Sequence, residues 1–282
     1  MATFPSLPSP SWIVARLRTA GCVFAEDEAR LLMSAARTPD DLAVMVEQRA
    51  AGVPIEHVVG WAEFCGLRIA VDRGVFVPRR RTEFLARQAI ALIRRASGPA
   101  DPADARPPVV VDLCCGSGAV GAVVAAAAGP VDLHASDIDP VAVACARRNL
   151  AAAAGRAYQG DLLEPLPASL HGRVALIVAN VPYIPTAEIG LLPPEARLHE
   201  PLAALDGGAD GLEVLRRVSA AAAPWLCPGG HLLIETSERQ APQATATFAR
   251  CGLIPRAASS EELNATVVIG TRAASPAGPG AA

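Results

Sequence analysis

The chain lacks lysine altogether: all 25 of its basic residues are arginine. Catalysis by a lysine amine is therefore excluded. The 28 acidic residues outnumber the basic ones, and the formal net charge is −3. A protein without net positive charge has little general attraction for nucleic acid, so we expect no direct nucleic-acid partner.

Patterns typical of metal sites and membrane segments are also missing. The seven cysteines are scattered and form no C-x-x-C pair, which predicts no metal site, no dithiol redox chemistry and a reducing compartment. The longest apolar run, from Ala119 to Ala128, is too short to span a bilayer. The first residues contain prolines and no long apolar segment. We therefore expect a monomeric cytoplasmic protein with no membrane partner.

Hydrophobic spacing divides the chain into a small helical part and a larger α/β part. With 282 residues, 51% of them hydrophobic, the chain is long enough for both. Apolar residues recur at intervals of three to four over residues 12–50, which predicts a helical domain over 1–59. Partial alternation with interspersed glycines then predicts a β-ribbon linker over 60–81. Thr82 is a candidate cap for the helix that follows.

From residue 109 onward, apolar strand candidates alternate with helix candidates. This order predicts a parallel sheet with helices on both faces. The strand candidates are 109–113, 131–136, 156–159, 174–179 and 231–236, and the helix candidates lie near 118–128, 140–150, 211–223 and 240–250. Two strands without an intervening helix are predicted over 251–270, giving a terminal antiparallel hairpin. We assign the larger domain to 82–272 and a disordered tail to 273–282.

A glycine-rich loop, residues 116–121, follows the first strand of this sheet as Gly-Ser-Gly-Ala-Val-Gly. Glycines let the backbone approach a ligand closely, and the helix start offers free amides. Asp137 ends the next strand, where it can accept hydrogen bonds from ribose hydroxyls. Asp161 follows the short third strand and can accept from an adenine amino group while Leu162 packs on the ring. These positions indicate a nucleotide-like cofactor.

Two cofactor classes fit a glycine loop of this kind. NAD places its pyrophosphate against the helix start, but Asp112, four residues before Gly116, would repel a pyrophosphate. The same acid suits S-adenosyl-L-methionine, which has an ammonium, a sulfonium and no phosphate, and we favour it over NAD. Cys114 and Cys115 are interpreted as small residues in a crowded turn, because no basic partner is evident to activate a thiol.

The tetrapeptide Asn180-Val181-Pro182-Tyr183 directly follows the strand candidate 174–179. Ligands of such sheets bind beyond the carboxyl ends of the strands. An amide nitrogen is a poor nucleophile because its lone pair is delocalised. Two acceptors on its N–H bonds, the Asn180 side-chain oxygen and the Val181 carbonyl, would orient that lone pair and stabilise developing positive charge. With the Tyr183 ring stacked on the planar group, the loop predicts a substrate site for a flat nitrogen.

With these motifs the chain resembles the class I S-adenosyl-L-methionine-dependent methyltransferases. It resembles more closely the protein-(glutamine-N5) methyltransferases of the HemK/PrmC family, which modify class 1 peptide-chain release factors. The resemblance covers roughly residues 10–270 and includes the segments 49–64 and 75–79. The segment Glu200–Gly211, the helical N-terminal domain and the ribbon are specific to this group. The resemblance implies a Rossmann-like methyltransferase domain and a release factor as protein substrate.

The resemblance also implies a role for each motif. The methionine part of the cofactor is bordered by Asp112, Cys114, Cys115, Gly116, Ser117 and Gly118. Asp137 takes the ribose, and Asp161 with Leu162 takes the adenine. The substrate glutamine is held by Asn180, Val181, Pro182 and Tyr183, with Asn180 also next to the cofactor. The N-terminal domain helps to dock the protein substrate.

The chain departs from the family pattern at three places. Val181 replaces the first proline of Asn-Pro-Pro-Tyr; it keeps the acceptor carbonyl, adds an N–H and frees Asn180 from the restriction that a following proline imposes. Cys114 stands in the glycine loop, where it is compatible with an extended backbone but not with positive φ. Arg80-Arg81 replace Pro-Asp, and the arginine row 79–81 is interpreted as a solvated face or, alternatively, a contact for an acidic or RNA surface.

The Val181 departure leaves other functions open. One alternative is methylation of an exocyclic amine on a nucleic acid base, and another is methylation of a small molecule. A third is a non-catalytic S-adenosyl-L-methionine-binding module, which the retained Asn180 and Tyr183 argue against.

Overall fold

The computed structural model describes residues 9–96 and 106–274, and the predicted tail beyond residue 274 lies outside them. Along the described residues the helices and strands follow one another as α1 Pro10–Thr19, α2 Ala25–Ala35, α3 Pro39–Ala50, α4 Ile55–Val59, β1 Trp61–Phe64, β2 Leu67–Ala70, α5 Glu83–Ala96, β3 Val109–Leu113, α6 Ala119–Ala128, β4 Asp132–Asp137, α7 Pro140–Leu150, β5 Arg156–Gln159, β6 Val174–Ala179, α8 Pro194–His199, α9 Glu213–Ala222, β7 Leu226–Thr236, α10 Ala241–Arg250, β8 Leu253–Ser260 and β9 Ala265–Arg272.

The N-terminal helices pack around their own small core, and a ribbon follows them. Ser9 begins α1 by accepting a hydrogen bond from the backbone N–H of Trp12, and Thr38 begins α3 in the same way. The buried side chains that α1, α2 and α3 share are Ile13, Leu17, Leu32, Leu42 and Val46. Strands β1 and β2 pair antiparallel, as the ribbon prediction required. The chain therefore reaches the larger sheet through a helical unit and a hairpin.

The larger part is built on a seven-stranded sheet in the order β5-β4-β3-β6-β7-β9-β8. The first five of these strands are parallel, and β9 runs antiparallel to β7 and β8. The predicted α/β fold with a terminal antiparallel hairpin is confirmed. The strand order reverses between β3 and β6, and open sheets of this type bind ligands at such a reversal, beyond the carboxyl ends of the strands.

Both faces of the sheet are covered by helices, which explains the continuous apolar strands. Val110 packs on one face with residues of α5, α6 and α7. Val111 and Leu113 pack on the other face with residues of α9 and α10. This alternation turns Asp112 toward the first face, under α6. The central strands are therefore rigid supports for the loops at their carboxyl ends.

Two details differ from the sequence-based expectation. Strand β7 begins at Leu226 rather than at residue 231, because an irregularity in its pairing with β6 accommodates Pro228 and the two glycines after it. Thr82 was predicted to cap α5, but it lies in a short 3₁₀ turn before the helix, and its hydroxyl faces Asn180 at 3.3 Å. The second difference places Thr82 in the functional site.

Candidate active site

A cavity of about 740 Å³ lies where the strand order reverses, beyond the ends of β3, β4 and β6. Every residue predicted for the cofactor and substrate sites lines it except Gly118: Asp112, Cys114, Cys115, Gly116, Ser117, Asp137, Asp161, Leu162, Asn180, Val181, Pro182 and Tyr183. Gly118 instead begins α6 with φ +76, and a Cβ there would lie 3.1 Å from the Ala146 side chain. It thus allows α6 and α7 to approach closely.

Asp137 fastens the glycine loop to the end of β4. Its Oδ2 accepts the backbone N–H of Gly116 at 2.8 Å, and its Oδ1 accepts that of Asp139 at 3.0 Å. Burial raises the pKa of this carboxyl, and the two backbone donors oppose the rise. Each oxygen keeps a lone pair for a further donor from the cavity. Two acceptors at this spacing could receive hydrogen bonds from the two hydroxyls of a ribose.

Asp112 holds the first turn of helix α6 in place through a backbone hydrogen bond. Its side chain is 2% exposed, and its Oδ2 accepts the backbone N–H of Gly121 at 2.8 Å. Burial raises its pKa to about 8. The backbone bond shows that Asp112 positions the start of the helix, a role that the sequence analysis did not assign. Its contact with the methionine end of the cofactor remains a prediction.

Cys114 has φ +52, so the glycine loop places it in the left-handed region where glycine is normally favoured. The conformation that the sequence analysis described as incompatible with cysteine is therefore the one adopted. Burial raises the pKa of both the Cys114 and Cys115 thiols well above the usual range. A raised pKa favours the protonated thiol, which is a poor nucleophile.

We expect Cys114→Val to lower the free energy of unfolding by about 2 kcal/mol, because a β-branched side chain is strained at positive φ. Cys114→Gly, the matched variant, should leave stability about unchanged, since relief of backbone strain offsets the lost side-chain packing. Urea denaturation of both variants tests this. Equal losses in the two would contradict the assigned backbone conformation.

Asp161 lies at the cavity edge in an ion pair with Arg217 of α9. The next residue, Leu162, has φ +49, and its carbonyl accepts the Ser136 hydroxyl at 2.5 Å. These contacts hold the loop after β5 against the end of β4. Arg217 also lines the cavity, and the sequence analysis did not identify it. One oxygen of Asp161 is thus engaged, and the other is available to a ligand.

The tetrapeptide follows β6 with its amide and ring inside the cavity. Asn180 Nδ2 donates to the Thr82 hydroxyl at 3.3 Å, and no hydrogen bond within the described residues uses its Oδ1. Val181 is buried. Burial raises the pKa of Tyr183 to about 12, and the Arg81 guanidinium lies 5.4 Å from the centre of its ring. Oδ1 of Asn180 is therefore the free acceptor at the predicted substrate end.

The segment Glu200–Gly211 forms the support behind the tetrapeptide. The backbone N–H of Ile184 donates to Leu205, and that of Gly207 donates back to Ile184. A Cβ at Gly211 would lie 2.2 Å from the Tyr183 carbonyl oxygen. Gln240 Nε2 reaches the same carbonyl at 3.0 Å. The segment Glu200–Gly211 therefore packs with its backbone close to that of Tyr183, and it fixes the position of this tyrosine.

The arginine row is not a free basic face. Arg79 contacts both carboxylate oxygens of Glu200 at 2.5 Å, and Arg81 Nε lies 3.3 Å from Oε1 of Glu235. Arg79, Arg81 and Glu200 all line the cavity. Arg80 and Arg81 are exposed and Arg79 is half-buried, so the row is partly solvated as interpreted, but Arg79 and Arg81 also face buried carboxylates. Glu200 at the cavity wall and Glu235 near the end of β7 attract these side chains.

Several residues of the site were missed by the sequence analysis: Arg81, Thr82, Arg217, Glu235 and Gln240. A signal existed for Glu235, because it lies at the carboxyl end of a predicted strand, where ligands of open sheets bind. Over residues 9–96 and 106–274, no group of three or more His, Cys, Asp and Glu residues is placed to hold a metal ion. Within the same ranges no helix is long and apolar enough to cross a membrane.

Comparison with known proteins agrees with this geometry. A family model described as methyltransferase small domain matches residues 102–190. The release factor glutamine methyltransferase of Geobacter sulfurreducens is 37% identical over 219 residues, covering 76% of this chain and 72% of that protein. A 4-amino-L-phenylalanine/4-methylamino-L-phenylalanine methyltransferase of Streptomyces pristinaespiralis is 36% identical over 225 residues, covering 78% of this chain and 73% of that protein.

Among solved structures, the ribosomal protein L11 methylase of Lactobacillus delbrueckii subsp. bulgaricus has a TM-score of 0.50 at 18% identity and covers 73% of this chain and 85% of that one. This likeness concerns the fold alone, and it agrees with the Rossmann-like sheet described above. The sequence similarity extends over most of the chain and includes the loop, the acids and the tetrapeptide that meet in the cavity. The chain belongs to the release factor glutamine methyltransferase family, whose members use S-adenosyl-L-methionine.

Proposed function

We propose that this protein transfers a methyl group from S-adenosyl-L-methionine to the side-chain amide nitrogen of a glutamine in a peptide-chain release factor. One observation carries the proposal. The acids and glycine loop of a cofactor site open into the same cavity as the free Oδ1 of Asn180. A cofactor and a planar amide can therefore meet there without an intervening wall.

The residues present fit S-adenosyl-L-methionine. Asp137 has acceptor capacity for two ribose hydroxyls, and Asp161 with Leu162 lies at the edge expected for adenine. The carboxyls Asp112, Asp137 and Asp161 line this end of the cavity. A cationic methionine end would favour their ionised forms, whereas a pyrophosphate would oppose ionisation. The cavity of about 740 Å³ has room for a cofactor and a glutamine side chain together. We assign cofactor binding to these residues and to the loop 114–118.

The protein's contribution to the reaction is orientation and electrostatic stabilisation. When bound, S-adenosyl-L-methionine supplies an electrophilic methyl group on its sulfonium. Asn180 Oδ1 and the Val181 carbonyl accept the two N–H bonds of the substrate amide and direct its lone pair along the line of attack. When the methyl–sulfur bond breaks to leave a neutral thioether and the methyl–nitrogen bond forms, the nitrogen would become positive. Both acceptors would stabilise that charge until the nitrogen loses a proton to water. The Tyr183 ring holds the amide plane.

We expect Asp137→Ala to raise the Kd for S-adenosyl-L-methionine about thirtyfold, because hydrogen bonds to a carboxylate contribute about 2 kcal/mol. Asp132→Ala is the matched control: Asp132 begins the same strand at its other end, where it pairs with Arg156. Calorimetry should show an unchanged Kd for that control. Equal losses of cofactor affinity in the two variants would mean that Asp137 affects binding only by stabilising strand β4.

The helical N-terminal domain is proposed to dock the release factor. Arg49 of α3 pairs with Glu28 and lies 3.6 Å from Glu195 of α8, in the segment that covers the cavity. Burial lowers the pKa of the Arg49 guanidinium, but the ion pair with Glu28 raises it by more, so the net change is a rise. The ion pair between Arg49 and Glu195 therefore links the N-terminal domain to the wall of the cavity. We further propose that the protein acts as a monomer in the cytoplasm.

A second candidate function is methylation of an aromatic amine. Val181 departs from the family proline, and a relative of similar identity is named for 4-amino-L-phenylalanine. Cofactor carrying a labelled methyl group, incubated with release factors, 4-amino-L-phenylalanine or RNA, separates the candidates. We expect label in a release factor only. Label in the amino acid would support the second function, and tight cofactor binding with no label anywhere would support a non-catalytic module.

A further inference from the structure

Asn149, in the last turn of α7, joins the ribbon to the glycine loop. Its Nδ2 donates to the Ala70 carbonyl at the end of β2 and to the Ser117 carbonyl in the loop, both at 2.8 Å. Its Oδ1 accepts the backbone N–H of Ala70 at 2.9 Å. Asn149 itself is not one of the described residues that line the cavity. One amide side chain behind the site therefore connects two segments that are far apart in the chain.

These three contacts fix the orientation of the Asn149 amide. An NH₂ group has two protons, and the two carbonyls take one each. In the reversed orientation Oδ1 would face both carbonyls, and the NH₂ group would face the N–H of Ala70. Like groups would then oppose each other at all three contacts. The observed orientation is therefore the one that gives every polar atom a partner.

The Ser117 carbonyl depends on Asn149 because its usual helical partner is engaged elsewhere. The N–H four residues on, that of Gly121, donates to Asp112 Oδ2 at 2.8 Å instead. Ser117 is buried, and a buried carbonyl without a donor is costly. Asn149 therefore supplies the hydrogen bond that the start of α6 does not.

The glycine loop needs support from its surroundings. Cys114, Gly116 and Gly118 all have positive φ, which excludes a regular helix or strand over this stretch. On the side of β4 the loop is held by Asp137, which accepts the N–H of Gly116 at 2.8 Å. On the side of α7 it is held by Asn149. Loss of either contact would let the loop adopt other conformations.

We propose that Asn149 is a positioning residue for the cofactor: by tying the Ser117 carbonyl to the end of the ribbon, it keeps the glycine loop in the conformation that binds S-adenosyl-L-methionine. The inference rests on the proposed assignment of the loop 114–118 to the cofactor. The apparent Kd of a ligand rises as the binding-competent fraction of its site falls. Asn149 therefore acts on cofactor affinity and leaves the substrate end beyond β6 unchanged.

Two substitutions distinguish a hydrogen-bonding role from a packing role. Asn149→Ala removes all three bonds, and we expect the Kd for the cofactor to rise about tenfold while kcat at saturating cofactor stays within about twofold. Asn149→Asp keeps the size and the acceptor for Ala70 but directs an anion at two carbonyls, so its Kd should rise about a hundredfold. A packing role predicts the opposite order, because Asp fills the space that Ala leaves empty. A lower Kd for Asn149→Asp than for Asn149→Ala would overturn the proposal.

Arg148→Ala is the matched control. Arg148 is the neighbouring residue of α7 and also holds the segment after β2, where its Nη2 lies 2.6 Å from Asp72 Oδ2. Its side chain makes no hydrogen bond to the glycine loop within the described residues. We therefore expect an unchanged Kd for the cofactor. The same rise in Kd for Arg148→Ala as for Asn149→Ala would overturn the role given to the loop contact.

Hydrogen exchange without cofactor separates this inference from the proposed function. Peptides that contain residues 115–121 should exchange faster in Asn149→Ala than in the unaltered protein, and at an unchanged rate in Arg148→Ala. Equal exchange in all three proteins would overturn the positioning role. An unchanged Kd in Asn149→Ala, with the expected loss in Asp137→Ala, would also overturn it. Faster exchange with an unchanged Kd in both variants would instead contradict the assignment of the loop to the cofactor.

Discussion

Asn180→Ala is expected to reduce methyl transfer about a thousandfold while the Kd for S-adenosyl-L-methionine changes by less than about threefold. The physical reason is that Oδ1 of Asn180 acts on the substrate nitrogen, and its stabilisation is largest in the transition state. In the proposed site the cofactor is held mainly by other residues, at the ends of β3, β4 and β5. Single-turnover kinetics give the first quantity, and calorimetry gives the second.

Asn264→Ala is the control for this substitution. Asn264 is exposed in the turn between β8 and β9, away from the cavity, and the same atoms are removed. Its activity should equal that of the unaltered protein. Comparable losses of cofactor affinity and methyl transfer in Asn180→Ala would show that Asn180 serves the cofactor rather than the substrate amide.

Gly211→Ala is expected to destabilise the protein by about 3 kcal/mol or more and to reduce methyl transfer at least about a hundredfold. The added Cβ would lie 2.2 Å from the Tyr183 carbonyl oxygen and 2.5 Å from Gln240 Nε2. Both are fixed parts of the wall behind the tetrapeptide. The collision therefore displaces the tyrosine and the acceptors before it, and small displacements of reacting groups are costly.

Gly252→Ala separates the collision from the backbone strain. Gly252 has φ +78, close to the +74 of Gly211, but a Cβ there would meet nothing within 4 Å. We expect a loss of about 1 kcal/mol from strain alone and unchanged activity. Thermal unfolding and kcat are measured for both variants. If Gly211→Ala behaves like Gly252→Ala, the segment Glu200–Gly211 does not support the tetrapeptide.

The parts of the fold that were predicted correctly are those whose signal is local. Strand β6 is a continuous apolar run because both faces of the sheet are covered, and such a run is recognisable without knowing its neighbours. Asp137 and Asn180 were placed in the site because they end strands of a parallel sheet, whose carboxyl ends meet at one edge. The glycine loop was found for the same reason.

The parts that were missed depend on contacts between residues far apart in the chain. Thr82 and Asn180 meet only because α5 packs beside β6, and no spacing in the sequence indicates that contact. Gln240 reaches the Tyr183 carbonyl across a sequence separation of 57 residues. The positive φ of Cys114 is set by the loop between β3 and α6, where the backbone geometry overrides the preference of the side chain. Local patterns therefore predicted residues that line one cavity, while the contacts that support them required the three-dimensional structure.

The most direct test of the central claim is tandem mass spectrometry of a release factor after incubation with the protein and S-adenosyl-L-methionine. We predict a gain of one methyl group, with fragment ions that place it on the side chain of a single glutamine, and no gain with Asn180→Ala. A methyl group on another residue type, or an unmodified release factor in the presence of protein that binds the cofactor, would contradict the account.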